Sequence, residues 1–196
     1  MAKVQLKIEE VFAEQPTLES DRLIIRAITP ADTADMFAYT SDAELLQHLP
    51  LGVTPTLADA EDAVRGFVGL YDLHRAAPWG ITVKETGRHI GIVGFESWNP
   101  VTDRAEIGFL IARSHWRQGY ASEAALRVMR FGFEQMGLNR IEARVKPENE
   151  SSRLLLEAKL GMRREALMRE HSWWRGSYHD LELYAILKRE FYARGL

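Results

Sequence analysis

Hydrophobic and polar positions change period repeatedly along this 196-residue chain, and each change marks an element. Asp21–Ile28 (DRLIIRAI) is dense in β-branched and long apolar residues and reads as a strand. Thr29-Pro30 then opens a helix through Thr40, with Ala34, Phe37 and Ala38 on its apolar spacing. A second helix is expected over Thr56–Arg75, capped by Thr56, with Leu57, Ala60, Val64, Phe67, Val68 and Tyr71 along one face. Trp79–Ser97 reads as two strands around a Glu85-Thr86-Gly87 turn. Arg104–Ala112 reads as a third, whose Ala105, Ile107, Phe109 and Ile111 share a face. Three consecutive strands imply an antiparallel meander.

The helical period then returns. Ala121, Ala125, Val128, Met129, Phe133 and Met136 form one stripe that closes at Gly137, and Arg140–Lys146 alternates as a strand. Strand, helix and strand in that order make a β-α-β crossover, normally a parallel pair. Pro147 ends the strand, Asn149 caps a short helix stopped by Gly161, and Tyr178–Phe191 supplies a last strand running into a short helical end. An antiparallel half joined to a β-α-β half predicts an α+β fold. The expectation is a single domain, residues 18–192, with a mixed and mostly antiparallel sheet flanked by helices, behind an N-terminal extension of residues 1–17.

Composition narrows the function classes. A chain of this length that is 46% hydrophobic can bury one sizeable core. The net charge of −3 comes from 25 basic and 28 acidic residues scattered along the chain, which argues against nucleic acid or an anionic membrane as the main partner. The absence of cysteine excludes disulfides, thiolate metal sites and a cysteine acyl-enzyme. The histidines lack zinc-helix spacing, so no metal is expected. No stretch reads as a secretory signal or a membrane span, which makes the cytoplasm the expected location.

The stretch HWRQGYASEA, His115–Ala124, places a glycine at the start of a helix, where it costs about 0.5–1 kcal/mol relative to alanine. A helix beginning near Gly119 presents unsatisfied N–H groups and a partial positive charge, a ready site for phosphate oxygens. Gly119 and Ala121 leave that backbone bare, while Arg117 and Ser122 add charge and hydrogen bonding. Tight packing accounts for the same small residues, and spacing alone does not separate the two. Gly87, Gly91 and Gly94 sit in the hairpin at the wrong spacing for a dinucleotide fingerprint, and no loop ends in Gly-Lys-Ser/Thr, so kinase and dehydrogenase readings fall.

Three blocks, LESDRLIIRAITPAD, AEIGFLIARSHWRQGYASEAALRVMRFGFEQMGLNRIEARVKPENESSRLLLEAKLGM and SWWRGSYHDLELYAILKREF, resemble successive parts of the RimJ/RimL branch of the GNAT-superfamily N-acetyltransferases, from about Leu18 to Phe191. The resemblance implies the GNAT fold with a central β-α-β unit that binds acyl-CoA, and acetyl-CoA-dependent transfer to a primary amine. It implies that backbone N–H groups of Arg117, Gln118, Gly119, Tyr120, Ala121 and Ser122 hold the CoA pyrophosphate. Trp116 stands where the superfamily commonly has Gln or Arg. By the same resemblance the backbone of Leu110, Ile111 and Ala112 pairs with the pantetheine arm where two parallel strands splay. Asn149 and Ser152 stand at the family's distance from the glycine turn. Ser152 would hydrogen-bond the leaving sulfur, and Asn149 is a helix cap on either reading.

Glu106 lies on the strand face opposite Ala105 and Ile107, shared with Gly108, whose missing side chain leaves room for a substrate. The resemblance implies a general base, direct or through water, whereas the residues alone allow a salt-bridged carboxylate. Without cysteine, direct attack of the amine in a ternary complex is favoured over an acyl-enzyme. The acceptor implied is the N-terminal α-amine of a protein, of the ribosomal-protein alanine or serine type. A small-molecule amine (polyamine, antibiotic or amino acid) and a non-catalytic acyl-CoA-binding module are the alternatives. Trp98, His171, Trp173, Trp174 and Phe37 belong either to an acceptor groove or to the core, and a homodimer is left open.

Overall fold

In a computed structural model that describes residues 11, 14–72 and 77–195, eight strands form one sheet. They are β1 (Leu18–Glu19), β2 (Leu23–Arg26), β3 (Trp79–Val83), β4 (His89–Asn99), β5 (Arg104–Ile111), β6 (Arg140–Val145), β7 (Arg163–Trp174) and β8 (Ser177–Leu187). Their order in space is β1-β2-β3-β4-β5-β6-β8-β7. Every neighbouring pair is antiparallel except β5 and β6, which run parallel as the crossover requires. The helices are α1 (Thr33–Thr40), α2 (Leu57–Asp72), α3 (Tyr120–Glu134), α4 (Glu150–Leu154) and α5 (Lys188–Ala193).

Alternation along β5 assigns the two faces of the sheet. Ala105, Ile107 and Ile111 pack with Ala125, Val128, Met129 and Phe133 of α3 in the main core. Leu110 faces the other way and joins Met36, Tyr39 and Val64 of α1 and α2. The face of α1 differs from the one read from spacing: Met36 and Tyr39 are buried while Ala34 and Ala38 are exposed, because the larger side chains remove more apolar surface from water. Thr56 caps α2 reciprocally with Asp59, each side chain accepting from the other's backbone N–H at 3.2 and 3.1 Å. The expected continuation of that helix over residues 73–75 lies outside the described residues.

Gly137, at φ +69°, closes α3, and the Leu138 N–H returns to the Gly132 carbonyl at 3.0 Å. Strand β7 has no counterpart in the sequence reading. Among the described residues it pairs with β8 alone, at the sheet edge, and none of its residues is fully buried, so no apolar stripe marks it in the sequence. Part of the expected N-terminal extension packs on the domain: Val11 is in the main core, and the Trp79 indole donates to the Pro16 carbonyl at 2.7 Å. Residues 1–10 and 12–13 lie outside the described residues.

Candidate active site

Strands β5 and β6 pair only from Arg104 to Glu106 against Arg140 to Glu142, and beyond that point they part. A cavity of about 230 Å³ opens in the gap, with Ile107–Phe109 on one side, Ala143–Lys146 on the other, and His48–Pro50 and Trp174 over it. The Ala112 N–H donates to the Ile90 carbonyl at 2.8 Å, which makes Ala112–Ile90 a hydrogen-bonded pair of the β4–β5 ladder. By antiparallel alternation Leu110 also turns its backbone to β4, whereas Ile107, Phe109 and Ile111 turn theirs to the gap. The Ile111 carbonyl already accepts from Trp116 Nε1 at 2.7 Å. Of Leu110, Ile111 and Ala112, then, the Ile111 N–H faces the gap, and Phe109 and Ile107 join it.

Next to the gap, Arg117 at φ +59° and Gly119 at φ +82° curl the chain into the start of α3. None of the backbone N–H groups from Arg117 to Ser122 donates to a described residue, so all of them remain for an anion. Gly119 is required by conformation, since the left-handed region strains any residue with a Cβ, and a Cβ there would meet only the end of the Arg22 side chain at 3.3 Å. Ser122 Oγ donates to the Gly119 carbonyl at 2.9 Å and Gln118 Nε2 to that of Ser114 at 3.1 Å, so these side chains brace the turn. Arg22, passed over in the sequence, braces it from outside: its guanidinium donates to the Gln118 carbonyl at 2.9 Å and to Glu123 at 2.7 Å, and lies 4.5 Å from the Tyr120 ring centre. The Arg117 side chain is exposed and pairs with no described residue.

Glu106 is buried and held by a guanidinium fork, with Arg144 Nε 2.5 Å from Oε1 and Arg144 Nη2 on Oε2. The salt-bridged reading of Glu106 therefore describes its ground state. The space above Gly108 is taken by protein: a Cβ there would overlap Glu96 Oε1. Glu96 falls at a β-bulge between Phe95 and Ser97 and lines the same cavity. The surrounding protein and the neighbouring Glu106 charge push the Glu96 carboxyl up, and Arg144 opposes them. Glu96 as a residue is exposed, so water limits the shift, and the desolvation acts at the carboxyl end lying against Gly108. His48, at the cavity rim, is pushed down by burial and by Lys146.

Neither Glu96 nor Arg144 was singled out in the sequence. Both sit at the parity that marks Glu106: Ile92, Gly94 and Glu96 on β4 face the side opposite core residues Val93 and Phe95, and Arg140, Glu142 and Arg144 on β6 do likewise. Asn149 caps α4 by accepting the Ser152 N–H at 3.2 Å, and the Ser152 hydroxyl, on the cavity wall, bonds to no described residue. Of the aromatic candidates only Trp174 lines the cavity. Trp98 packs on the core, Phe37 is half-buried, and His171 and Trp173 are exposed, Trp173 lying against Tyr178 at 4.8 Å. A wider recess of about 410 Å³ on the β7–β8 hairpin holds charges that are already paired, Arg164 with Glu182 and Lys146 with Glu148. Among the described residues no group of histidine and carboxylate side chains is placed to hold a metal, and no helix is long and apolar enough to cross a membrane.

The profile of the acetyltransferase (GNAT) domain family matches residues 22–163. An uncharacterized N-acetyltransferase of Bacillus subtilis, YoaA, is 38% identical over 173 residues, covering 88% of this chain and 97% of the relative. The crystal structure of a GNAT-family acetyltransferase from Bacillus anthracis superposes with a TM-score of 0.78 at 29% identity, over 89% of this chain and 100% of that one. RimL, a ribosomal L7/L12 α-N-protein acetyltransferase solved in complex with coenzyme A, shares the fold with a TM-score of 0.76 at 20% identity, over 88% of this chain and 98% of its own.

Proposed function

Because this chain belongs to the GNAT acetyltransferase family and is an acyl-transferring enzyme, we propose that it moves the acetyl group of acetyl-CoA onto the N-terminal α-amine of a protein in the cytoplasm, by direct attack in a ternary complex. The observation that carries this reading is the run of N–H groups from Arg117 to Ser122, without partners among the described residues, beside the gap between β5 and β6. Acetyl-CoA brings a thioester carbonyl and a sulfur leaving group. The Arg117–Ser122 backbone and the Arg117 guanidinium hold the pyrophosphate, and the Ile111 N–H with the Phe109 and Ile107 backbone pairs with the pantetheine amides. Ser152, positioned by Asn149, donates its hydroxyl proton toward the sulfur as charge develops there. A cavity carboxylate takes the proton of the amine.

The α-amine is favoured by its acidity. At pH 7 an α-amino group gives up its proton for about 1–1.4 kcal/mol, while a lysine side chain requires about 4.6 kcal/mol. A carboxylate in a cavity open to water suffices for the first. RimL, which shares the fold, is named as an α-N-protein acetyltransferase, in line with this acceptor. Calorimetry with acetyl-CoA and CoA, followed by thiol-release assays over N-terminal peptides and small amines, tests the reading. Binding with turnover of Ala- or Ser-initiated peptides is expected. Turnover of polyamines or amino acids alone would replace the acceptor, and binding without turnover would leave an acyl-CoA-binding module.

A further inference from the structure

We propose that Glu96, rather than Glu106, takes the proton from the incoming amine, with the Glu106–Arg144 pair as the positioning element that sets its basicity. This rests on the acetyltransferase reading above. Both oxygens of Glu106 are occupied by the Arg144 fork. Protonating Glu106 would dissolve that fork and leave the guanidinium beside a neutral acid, a costly exchange for a buried carboxylate whose two oxygens are both engaged. Glu96 carries no such burden: neither of its oxygens is hydrogen-bonded to a described residue, and it lines the same cavity as Ser152 and the splayed edge of β5.

The backbone is built to bring Glu96 there. The bulge sets Glu96 as the extra residue between the Phe95–Ile107 and Ser97–Glu106 pairs, and Gly108 has no Cβ where the Glu96 carboxyl lies. The charged and titratable groups around it are Glu106 from β5, Arg144 and Lys146 from β6, and His48 from the loop before α2. Lys146 is 3.8 Å from Glu148 and 5.7 Å from the centre of the Trp174 ring, so its charge is partly engaged elsewhere. Burial and Glu106 raise the Glu96 carboxyl against the pull of Arg144, which moves it toward the working range of a general base. In the step, the Glu96 carboxylate accepts one proton from the acceptor ammonium. The freed nitrogen lone pair forms the bond to the acetyl carbonyl carbon of acetyl-CoA, the carbon–sulfur bond breaks, and its electron pair stays on sulfur. The Ser152 hydroxyl passes its proton to that sulfur and takes the second amine proton in exchange, and Glu96 returns its own to water.

The test is the pH dependence of kcat and of kcat/KM for Ala- and Ser-initiated peptides at saturating acetyl-CoA, beside a carboxyl-carbon NMR titration of the protein. Glu96→Gln should lower kcat about 100-fold or more, move the acid limb up to the ionisation of the peptide amine, about pH 7.7–8, and leave acetyl-CoA affinity unchanged. Glu106→Gln should retain an acid limb displaced to lower pH, since the like charge that raises Glu96 is gone. In the titration the Glu96 signal should lie above the ordinary glutamate range and move down in Glu106→Gln. An acid limb that stays at its native position in Glu96→Gln, a KM increase for the peptide with kcat intact, or a Glu96 signal in the ordinary range overturns the proposal. If no peptide releases thiol with the native enzyme, the acceptor reading fails, and the titration still decides Glu96.

Discussion

Arg175, at the turn of the β7–β8 hairpin, donates through Nη2 to the carbonyls of Leu46 at 3.0 Å and Leu51 at 3.2 Å. These two carbonyls bracket His48, Leu49 and Pro50, the segment that covers the cavity. One guanidinium thus ties the far end of the sheet to the roof of the site. Arg175→Ala should release the roof and raise KM for the amine about three- to tenfold, the loss of one or two exposed charge-assisted hydrogen bonds. Acetyl-CoA affinity should be unchanged if the Arg117–Ser122 turn holds the pyrophosphate as proposed, because the bonds of Arg175 go to Leu46 and Leu51 and not to that turn. Initial rates with the amine varied at saturating acetyl-CoA check it, and an unchanged KM would remove the roof from acceptor binding.

Gly119 offers a sharper experiment than a bulky replacement. At φ +82° a valine would be strained by about 1–2 kcal/mol whether or not phosphate binds beside it, so its stability loss carries no information about the ligand. Asparagine tolerates the left-handed region. Gly119→Asn should keep a melting temperature close to the native one while weakening acetyl-CoA binding at least about tenfold, since its side chain fills the space in front of the N–H groups. Arg117→Ala should weaken binding less and lower its salt sensitivity, because an exposed side-chain charge is screened and backbone amides are not. Calorimetry at two salt concentrations reads both. Native affinity in Gly119→Asn would move the pyrophosphate elsewhere.

The β5–α3–β6 unit was legible because three local signals agreed there: alternation, a helical stripe, and a glycine where a helix should not want one. What escaped the sequence is long-range or irregular. Arg22 supports Gln118 across 96 positions, and nothing near either residue announces the other. Glu96 shares the parity of Glu106, but its approach to the cavity depends on a one-residue bulge that no period reveals. Gly108 was read as space for a ligand and proves to be space for a neighbouring side chain. In α1 the spacing of Ala34, Phe37 and Ala38 fitted a helix equally well on either face, and packing of Met36 and Tyr39 decided between them.

Ser152 makes a prediction distinct from that of its cap. Its N–H is used by Asn149 and its hydroxyl bonds to no described residue, so Ser152→Ala removes only the hydroxyl. Turnover should fall about tenfold or more, less than the roughly 10²–10⁴-fold typical of general-acid assistance because a thiolate is a good leaving group and water can replace the donor, with melting temperature and acetyl-CoA affinity preserved. Asn149→Ala should instead destabilise the start of α4 by about 1 kcal/mol and lower turnover through misplacement of Ser152. Thermal melts beside steady-state kcat separate the two, and native kcat in Ser152→Ala would leave water as the donor to sulfur.

Acid stability is set away from the cavity, by a buried fork between Arg26 and Asp32. Arg26 Nη1 and Nη2 meet the two Asp32 oxygens at 2.8 and 2.7 Å, and the Thr29 N–H adds a bond at 2.8 Å. Burial alone would raise the Asp32 carboxyl, but the fork and the Thr29 bond outweigh it and hold the group at about 2, against 3.8 for the free side chain. A depressed carboxyl stabilises the fold above the unfolded value and loses that contribution as pH falls. The Asp32 contribution, about 2 kcal/mol, should therefore be intact at neutral pH and disappear between about pH 4 and pH 2. His89, buried against Tyr39, acts in a different window. Burial lowers it, so the unfolded chain takes up a proton from about pH 6.5 downward that the folded chain refuses, and stability falls there first. Urea midpoints across this range should show a two-stage decline. His89→Gln should flatten the upper stage, and Asp32→Asn should be less stable at neutral pH with its deficit closing in the lower one. A deficit for Asp32→Asn that stays constant down to about pH 2 would assign the fork no linkage to acid unfolding.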